Sequence, residues 1–215
     1  MAMDLGTAVW AKRKALADGL SAQDSVKRTR CSTAAVEDSS SNNGNGIRIF
    51  GRYAPHFRAP TLLPNGMPSS VSLDDFKGKY LVILFYPSAF TLASCIEITG
   101  FNDSLEQFNA LDCSVVVCST DSEYAHYHWQ RKERSEGGVG RLWLPMLSDR
   151  TRSISRSYNV LCEETGLAFR GLFVVDKLQR LRVSRVNSLL ADRPVDEALR
   201  LVVELRTADG EDLVM

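Results

Sequence analysis

Short apolar runs along the chain alternate with stretches that carry apolar residues at helical spacing. The run Tyr80–Tyr86 is too short for a buried helix and predicts a central strand, and Ser114–Ser119 is a second run of the same kind. Two further strands are predicted at Arg170–Val175 and Leu181–Val186, joined by a turn around Lys177.

Amphipathic stretches separate these strands. Apolar residues that recur three and four positions apart predict a helix from about Cys95 to about Asn109. Further helices are predicted at Ser122–Arg134, at Asp149–Tyr158 and at Pro194–Arg206, where the proline suits a first helical turn. The order of strands and helices predicts an α/β fold with helices on both faces of one sheet.

Residues 1–46 differ in composition from the rest of the chain. They are rich in alanine, serine, asparagine and charge, and they bury too little apolar surface to offset the entropy of ordering. The sequence therefore predicts a disordered extension over 1–46 and one folded domain over 47–215. The basic clusters Lys12-Arg13-Lys14 and Lys27-Arg28-Thr29-Arg30 have a spacing that suits a nuclear-import signal, although a solvated tail of mixed charge is the favoured interpretation.

Composition narrows the classes of function. Lysine plus arginine equals aspartate plus glutamate, 26 of each, so bulk charge gives no reason to expect a nucleic-acid partner. No apolar run approaches the ~20 residues that cross a bilayer, and no signal peptide is recognisable, so we expect no membrane partner and no secretion. Five cysteines without a Cys-x-x-Cys pair indicate reduced thiols and a cytosolic or nuclear protein.

The residues after the first predicted strand carry the candidate chemistry. They read Phe85-Tyr86-Pro87-Ser88-Ala89-Phe90-Thr91-Leu92-Ala93-Ser94-Cys95-Ile96-Glu97. This stretch resembles the active-site loop of the peroxiredoxins, in which Pro-x-x-x-Thr-x-x-Cys precedes Pro-Thr-Glu. Pro87, Thr91 and Glu97 fall in register with that pattern. Ser94 stands where the family has its peroxide-attacking cysteine, and Cys95 stands where it has proline.

The resemblance to the typical two-cysteine peroxiredoxins extends over about residues 53–206. It implies a thioredoxin-like α/β fold, in which helices cover both faces of a central mixed sheet. It also implies a homodimer or a higher homo-oligomer. An active member would take a hydroperoxide as substrate and a thioredoxin-like protein as reductant, with no cofactor and no metal. The matching motifs include Gly137-Gly138-Val139-Gly140, Leu147-Ser148-Asp149 and Arg170-Gly171-Leu172-Phe173.

Peroxide reduction needs a thiolate, and the resemblance assigns supporting groups around it. Thr91 would orient the peroxide, Arg170 would support the nucleophile and Glu97 matches the family's helix glutamate. A guanidinium favours the thiolate and also donates hydrogen bonds. Ser94 cannot replace the thiol, because a hydroxyl is not ionised at neutral pH and does not cycle through a sulfenic acid. Ser94-Cys95-Ile96-Glu97 also reads as a capping box that opens the helix.

Cys95 is the alternative nucleophile. One step along a helix rotates a side chain by about 100° and shifts it by about 1.5 Å, and a displacement of about 1 Å costs roughly a hundredfold in rate. The C-terminal resolving cysteine is also missing, because the matching place holds Leu213 or Val214. Of the other cysteines, Cys118 is expected in the core and Cys162 at the surface.

Two functional hypotheses follow from these residues. In one, the chain is an active thiol peroxidase that uses displaced Cys95 and an external thiol reductant. In the other, peroxide reduction and its antioxidant role in redox homeostasis are lost, and the protein is a non-catalytic binding or co-assembly partner of active peroxiredoxins. The serine at position 94 favours the second hypothesis.

Overall fold

A computed structural model describes residues 52–187 and 195–210 of the chain. The predicted disordered extension over 1–46 lies outside the described residues. The described strands are β1 Arg58–Leu62, β2 Pro68–Ser72, β3 Tyr80–Phe85, β4 Cys113–Ser119, β5 Met146–Ser148, β6 Arg170–Val175 and β7 Leu181–Asn187. The described helices are α1 Leu92–Asp103, α2 Leu105–Ala110, α3 Glu123–Arg131, α4 Ser153–Ser157 and α5 Val195–Ala208.

All seven described strands form one mixed sheet in the order β2-β1-β5-β4-β3-β6-β7. Strands β3, β4 and β5 run parallel, and the remaining pairs are antiparallel. Strand β3 lies inside the sheet, between β4 and β6, with every residue buried, as its continuous apolar run predicts. The mixed sheet confirms the predicted α/β class.

Alternate residues of the central strands point to opposite faces of the sheet and form two hydrophobic cores. Val82 and Leu84 pack on one face, where Phe101 of α1, Trp129 of α3 and Val202 of α5 cover them. Leu81, Ile83 and Phe85 pack on the other face with residues that include Ile154 of α4 and Tyr158. Helices therefore cover both faces, as the sequence predicts.

Several element boundaries differ from the sequence predictions. The helix predicted from about Cys95 to about Asn109 begins three residues earlier, at Leu92, and is interrupted at Ser104 between α1 and α2. Helix α3 ends at Arg131 because Lys132 adopts an extended backbone conformation. Helix α4 begins at Ser153 rather than at Asp149.

Asp149 lies outside helix α4 but caps its start. Its carboxylate accepts hydrogen bonds from the backbone N–H groups of Ile154 and Ser155, at 3.2 and 2.6 Å. A carboxylate in this position satisfies N–H groups that have no partner within the helix. The residue thus belongs to the predicted segment but acts as its cap.

Three short strands were not predicted. Strands β1 and β2 are half polar and form a hairpin at the sheet edge, and β5 has only three residues. Such segments lack the apolar run or the alternation that identifies a strand in a sequence. They pair because neighbouring strands offer backbone partners, which a local sequence pattern does not reveal.

Candidate active site

The candidate site lies at one end of the central strands. Strand β3 pairs in parallel with β4, with Phe85 opposite Cys118, so both strands end at the same edge of the sheet. Strand β6 runs antiparallel to β3 and pairs Gly171 with Phe85, so it begins at this edge. Sheet topology therefore brings Arg170, the first residue of β6, beside the loop that follows β3.

The loop after β3 is fixed by a carboxylate that follows β4. Asp121 Oδ2 accepts hydrogen bonds from the backbone N–H of Ala89, at 2.7 Å, and from Ser119 Oγ, at 3.0 Å. Phe90 adopts a positive φ of 60°, which is uncommon for a residue with a side chain, and its ring packs on Trp129 with centroids 5.8 Å apart. These contacts fix the direction in which the chain enters α1.

Thr91 caps helix α1, and Ser94 lies in its first turn. The Thr91 side chain accepts a hydrogen bond from the Ser94 backbone N–H, and the two hydroxyl oxygens lie 2.8 Å apart. Ser94 is fully buried. The predicted capping box that begins at Ser94 is therefore wrong: the cap lies three residues earlier, because Thr91 has the extended backbone conformation that a helix N-cap requires.

Arg170 contacts both Ser94 and Glu97. Its Nη2 donates to Ser94 Oγ over 3.4 Å, and its Nη1 donates to Glu97 Oε2 in a salt bridge. The side chains of Arg170 and Glu97 are 5% and 4% exposed, so the two charges neutralise each other away from water. The structure thus brings together four of the five candidate residues, Thr91, Ser94, Glu97 and Arg170.

Cys95, the fifth candidate residue, has different surroundings. It is buried, and its Sγ donates to the backbone carbonyl of Gly138 over 3.0 Å. It belongs to the core cluster that contains Trp129 and Val139. The rotation of about 100° between successive helical residues accounts for the difference between this environment and that of Ser94.

A second buried polar network supports the strand ends. His126 Nε2 lies 2.9 Å from Tyr86 Oη and 3.1 Å from Ser119 Oγ. Burial lowers the pKa of His126 from its usual value near 6.5 to about 4, because the interior disfavours the charged imidazolium. Burial likewise raises the pKa of Tyr86 well above its usual value. Within the described part of the chain, His126 makes no hydrogen bond to Ser94, so it does not activate that hydroxyl.

The remaining described cysteines, Cys113, Cys118 and Cys162, are buried. Burial raises the pKa of Cys113 to about 12 and the pKa of Cys118 well above its usual value, which disfavours both thiolates. Cys118 lies in the core, as predicted. The prediction that Cys162 lies at the surface is wrong, because the side chain is only 7% exposed.

Sequence reasoning missed the residues that hold the site in place. Asp121 and Ser119 fix the loop, and Gly138 provides the hydrogen-bond acceptor for Cys95. The signal for Asp121 was available, because polar residues that follow two parallel strands meet at the same edge of the sheet. The contact with Gly138 was not predictable, because it joins segments 43 residues apart in the chain.

The groups gathered around Ser94 are a second hydroxyl, a guanidinium and a carboxylate. No group of three histidine, cysteine or acidic side chains that could hold a metal ion occurs within residues 52–187 and 195–210. Across the same residues, no helix combines the length and hydropathy that crossing a membrane requires.

Comparison with known proteins gives a consistent set of relatives. The family model described as the AhpC/TSA family matches residues 50–184. The chain is 47% identical over 149 residues to a thioredoxin peroxidase of Trypanosoma brucei rhodesiense, covering 69% of this chain and 75% of the relative. It is 44% identical over 156 residues to peroxiredoxin 2 of Drosophila melanogaster, covering 73% of this chain and 80% of that protein.

Among solved structures, the fold is similar to that of the reduced 2-Cys peroxiredoxin of Plasmodium vivax. The TM-score is 0.72 at 32% sequence identity, and the alignment covers 75% of this chain and 85% of that chain. This similarity confirms the thioredoxin-like fold in its peroxiredoxin version, with a seven-stranded mixed sheet and helices.

Proposed function

The chain belongs to the AhpC/TSA family of peroxiredoxins, and from that premise we propose that it is a member whose thiol-dependent peroxide reduction is impaired. The ancestral reaction is the reduction of hydrogen peroxide and alkyl hydroperoxides. The impairment follows from Ser94, which takes the position of the peroxidatic cysteine in the family motif. The proposal rests on one observation: the side chain that contacts both Thr91 and Arg170 is that of Ser94, which ends in a hydroxyl group.

The missing sulfur interrupts the reaction at its first step. A thiolate attacks one peroxide oxygen, so that a sulfur–oxygen bond forms as the oxygen–oxygen bond breaks. The thiolate becomes a sulfenic acid, and the departing oxygen leaves as water or an alcohol after it takes up a proton. Ser94 Oγ has neither the ionisation nor the oxidation states that this step requires.

The groups that would support a thiolate remain in place. Arg170 still donates toward Oγ at position 94, and Thr91 still lies within hydrogen-bond distance of it. A sulfur at this position would accept hydrogen bonds from both side chains, which favours its ionised form. We therefore infer that the groups around position 94 are intact and that, among the groups gathered there, the nucleophile is the one that is missing.

Cys95 is the alternative nucleophile, and its environment argues against that role. Its thiol is buried and donates to the Gly138 carbonyl, whereas Ser94 is the residue that contacts Arg170. A carbonyl oxygen accepts from the neutral thiol and repels a thiolate. The favoured role is therefore that of a non-catalytic partner that binds or co-assembles with active peroxiredoxins.

The test measures peroxide reactivity in the full chain. We expect that hydrogen peroxide will not oxidise Cys95 rapidly, which trapping with dimedone and mass spectrometry would detect. Fast, stoichiometric labelling of Cys95 would instead support an active peroxidase with an external thiol reductant. The Cys95→Ser variant identifies which signal belongs to that thiol.

A variant with cysteine at position 94 tests whether Thr91 and Arg170 still support a thiolate there. The double variant Ser94→Cys with Cys95→Pro places a cysteine between Thr91 and Arg170 and restores the family's proline. We expect its peroxide reactivity in stopped-flow measurements to rise by at least a hundredfold over the unmodified chain. No gain in a folded double variant would mean that the pocket around position 94 has also lost its function.

Assembly and location extend the same proposal. We propose a homodimer or a higher homo-oligomer in the cytosol or nucleus. The location rests on the cysteine pattern of the sequence, five cysteines without a Cys-x-x-Cys pair, which is usual in reducing compartments. Size-exclusion chromatography with light scattering, and microscopy of the tagged full chain, test these two statements separately.

A further inference from the structure

A cavity of about 560 Å³ lies between the turn that joins β1 to β2 and helix α3, away from the residues around Ser94. Its size falls within the range of small-molecule sites, about 300–1,000 Å³. Its lining contains two arginines and no carboxylate, together with two amides, a tyrosine and apolar residues. The lining residues are Pro64, Asn65, Gly66, Met67, Pro68, Tyr127, Gln130, Arg131 and Arg141.

The turn forms one preorganised wall of this cavity. The backbone N–H of Leu63 donates to the Met67 carbonyl at 3.0 Å, and the Met67 N–H donates to Asn65 Oδ1, also at 3.0 Å. Gly66 takes the positive φ of 77° that closes the turn. The Met67 side chain is 60% exposed. This wall thus offers a flexible thioether and two prolines to an apolar ligand surface.

The two arginines are each held against an aromatic ring. Arg131 lies over the Tyr127 ring at 5.4 Å from its centroid and donates to Tyr127 Oη at 2.9 Å. The Arg141 guanidinium stacks over Trp143 at 4.2 Å from the ring centroid. Such contacts restrict the guanidinium groups without neutralising their charge. Both cations therefore remain available to an anion.

The absence of carboxylates from the lining distinguishes this pair from several other arginines of the described chain. Within that part of the chain, neither Arg131 nor Arg141 forms an ion pair with an acidic side chain. Six of the twelve other described arginines do pair with carboxylates. Those six are Arg134, Arg156, Arg170, Arg182, Arg185 and Arg200.

Gln130 adds a polar group to the same lining. Its Nε2 is buried and has no hydrogen-bond acceptor in the described structure. Leaving a buried donor without an acceptor is unfavourable. If the amide rotated toward an oxygen of a bound ligand, Nε2 would lose no hydrogen bond. An oxyanion in the cavity would give this amide an acceptor.

From these observations we infer that the cavity binds a small molecule that carries a phosphate group and an apolar body. Two guanidinium groups match the double negative charge of a phosphate better than they match the single charge of a carboxylate. Guanidinium groups also donate to phosphate oxygens in a bidentate geometry. Met67, the prolines and the Tyr127 ring would contact the apolar part. This site is independent of the peroxide chemistry proposed at Ser94.

Adenosine monophosphate, adenosine and inorganic phosphate serve as probes in isothermal titration calorimetry on the full chain. We expect adenosine monophosphate to bind and its affinity to fall as salt is raised, because the charges that attract it are exposed. Adenosine is expected to bind at least tenfold more weakly, and so is inorganic phosphate, which lacks the apolar body. No binding of the nucleotide, or equal binding of nucleotide and adenosine, would overturn the inference.

Variants locate the binding to this cavity. The double variant Arg131→Gln with Arg141→Gln is expected to weaken nucleotide binding at least tenfold, with an unchanged far-ultraviolet circular dichroism spectrum. Arg150→Gln is the matched control, because Arg150 is exposed and lies outside the lining. Unchanged affinity in the double variant, or an equal loss in the control, would refute the assignment of the site.

Discussion

Ser94 and Cys95 are neighbours in the chain, yet their side chains have different chemistry available to them. Ser94 Oγ lies within hydrogen-bond distance of Thr91 and Arg170, whereas Cys95 Sγ contacts the Gly138 carbonyl. Arg170 can stabilise a negative charge, and a carbonyl oxygen cannot. The residue that contacts Arg170 therefore lacks sulfur, and the sulfur of Cys95 lies in a different environment.

The buried pair of Arg170 and Glu97 gives a first prediction at the residue scale. Arg170→Met is expected to lower the free energy of unfolding by about 3–5 kcal/mol, because it leaves the Glu97 carboxylate buried without its partner. Urea denaturation followed by circular dichroism measures the change.

The double variant Arg170→Met with Glu97→Leu provides the control for this prediction. It removes both charges, so it should be clearly more stable than Arg170→Met alone. If the two variants unfold at the same urea concentration, the loss in the single variant comes from packing and not from an uncompensated charge.

His126 gives a second prediction, which concerns pH. Its pKa is about 4 in the folded protein and near 6.5 when unfolded, so between these values the unfolded chain binds a proton that the folded chain does not. The stabilisation is fully present above about pH 6.5 and is lost as the pH falls toward 4. The pKa difference corresponds to about 3 kcal/mol.

The His126→Gln variant isolates this contribution. Its amide retains a polar partner for Tyr86 and Ser119 but does not titrate. We expect its free energy of unfolding to fall much less between pH 6.5 and pH 4 than that of the unmodified protein. Parallel pH profiles in the two proteins would contradict a neutral, buried His126.

At the scale of the element, the start of helix α1 sets the position of the site. Thr91 is the N-cap, so Ser94 occupies the first turn, where its backbone N–H faces the Thr91 hydroxyl. Thr91→Ala is expected to destabilise the protein by about 1 kcal/mol, because the helix loses its cap. Urea denaturation measures this loss, and Thr91→Ser should recover most of it.

Thr99→Ala is the matched control within the same helix. Thr99 lies inside α1, and its hydroxyl donates to the Cys95 carbonyl at 2.7 Å. Alanine has a higher helix propensity than threonine, so this variant should change stability little. A loss as large as that of Thr91→Ala would show that the effect does not arise at the helix start.

The elements that the sequence predicts best are those with a strong hydrophobic pattern. Strand Arg170–Val175 has the predicted bounds, and β3 and β4 differ from prediction by one residue. The helix start was predicted less well, because the prediction placed the cap at Ser94, whereas Thr91 has a hydroxyl that can cap a helix as well. The extended backbone conformation of Thr91 makes this residue the N-cap.

At the scale of the whole molecule, the candidate site combines segments that are far apart in the chain. Resemblance to the family identified Thr91, Ser94, Glu97 and Arg170 as site residues, and sheet topology explains why they meet. Glu97 and Arg170, 73 residues apart, meet because β6 begins where β3 ends. The contact between Cys95 and Gly138 was not predictable, because it depends on how the Gly137–Gly140 segment packs on the sheet.

The two hydrophobic cores give the last prediction, which concerns the predicted extension. The described members of both cores extend from Ala54 to Val202, and the composition of residues 1–46 predicts that they bury little apolar surface. A chain that begins at residue 47 is therefore expected to unfold within about 0.5 kcal/mol of the full chain, since changes away from a core alter stability little. Urea denaturation of both chains measures the difference. A loss of several kcal/mol would mean that residues 1–46 pack on the folded domain and are not a disordered extension.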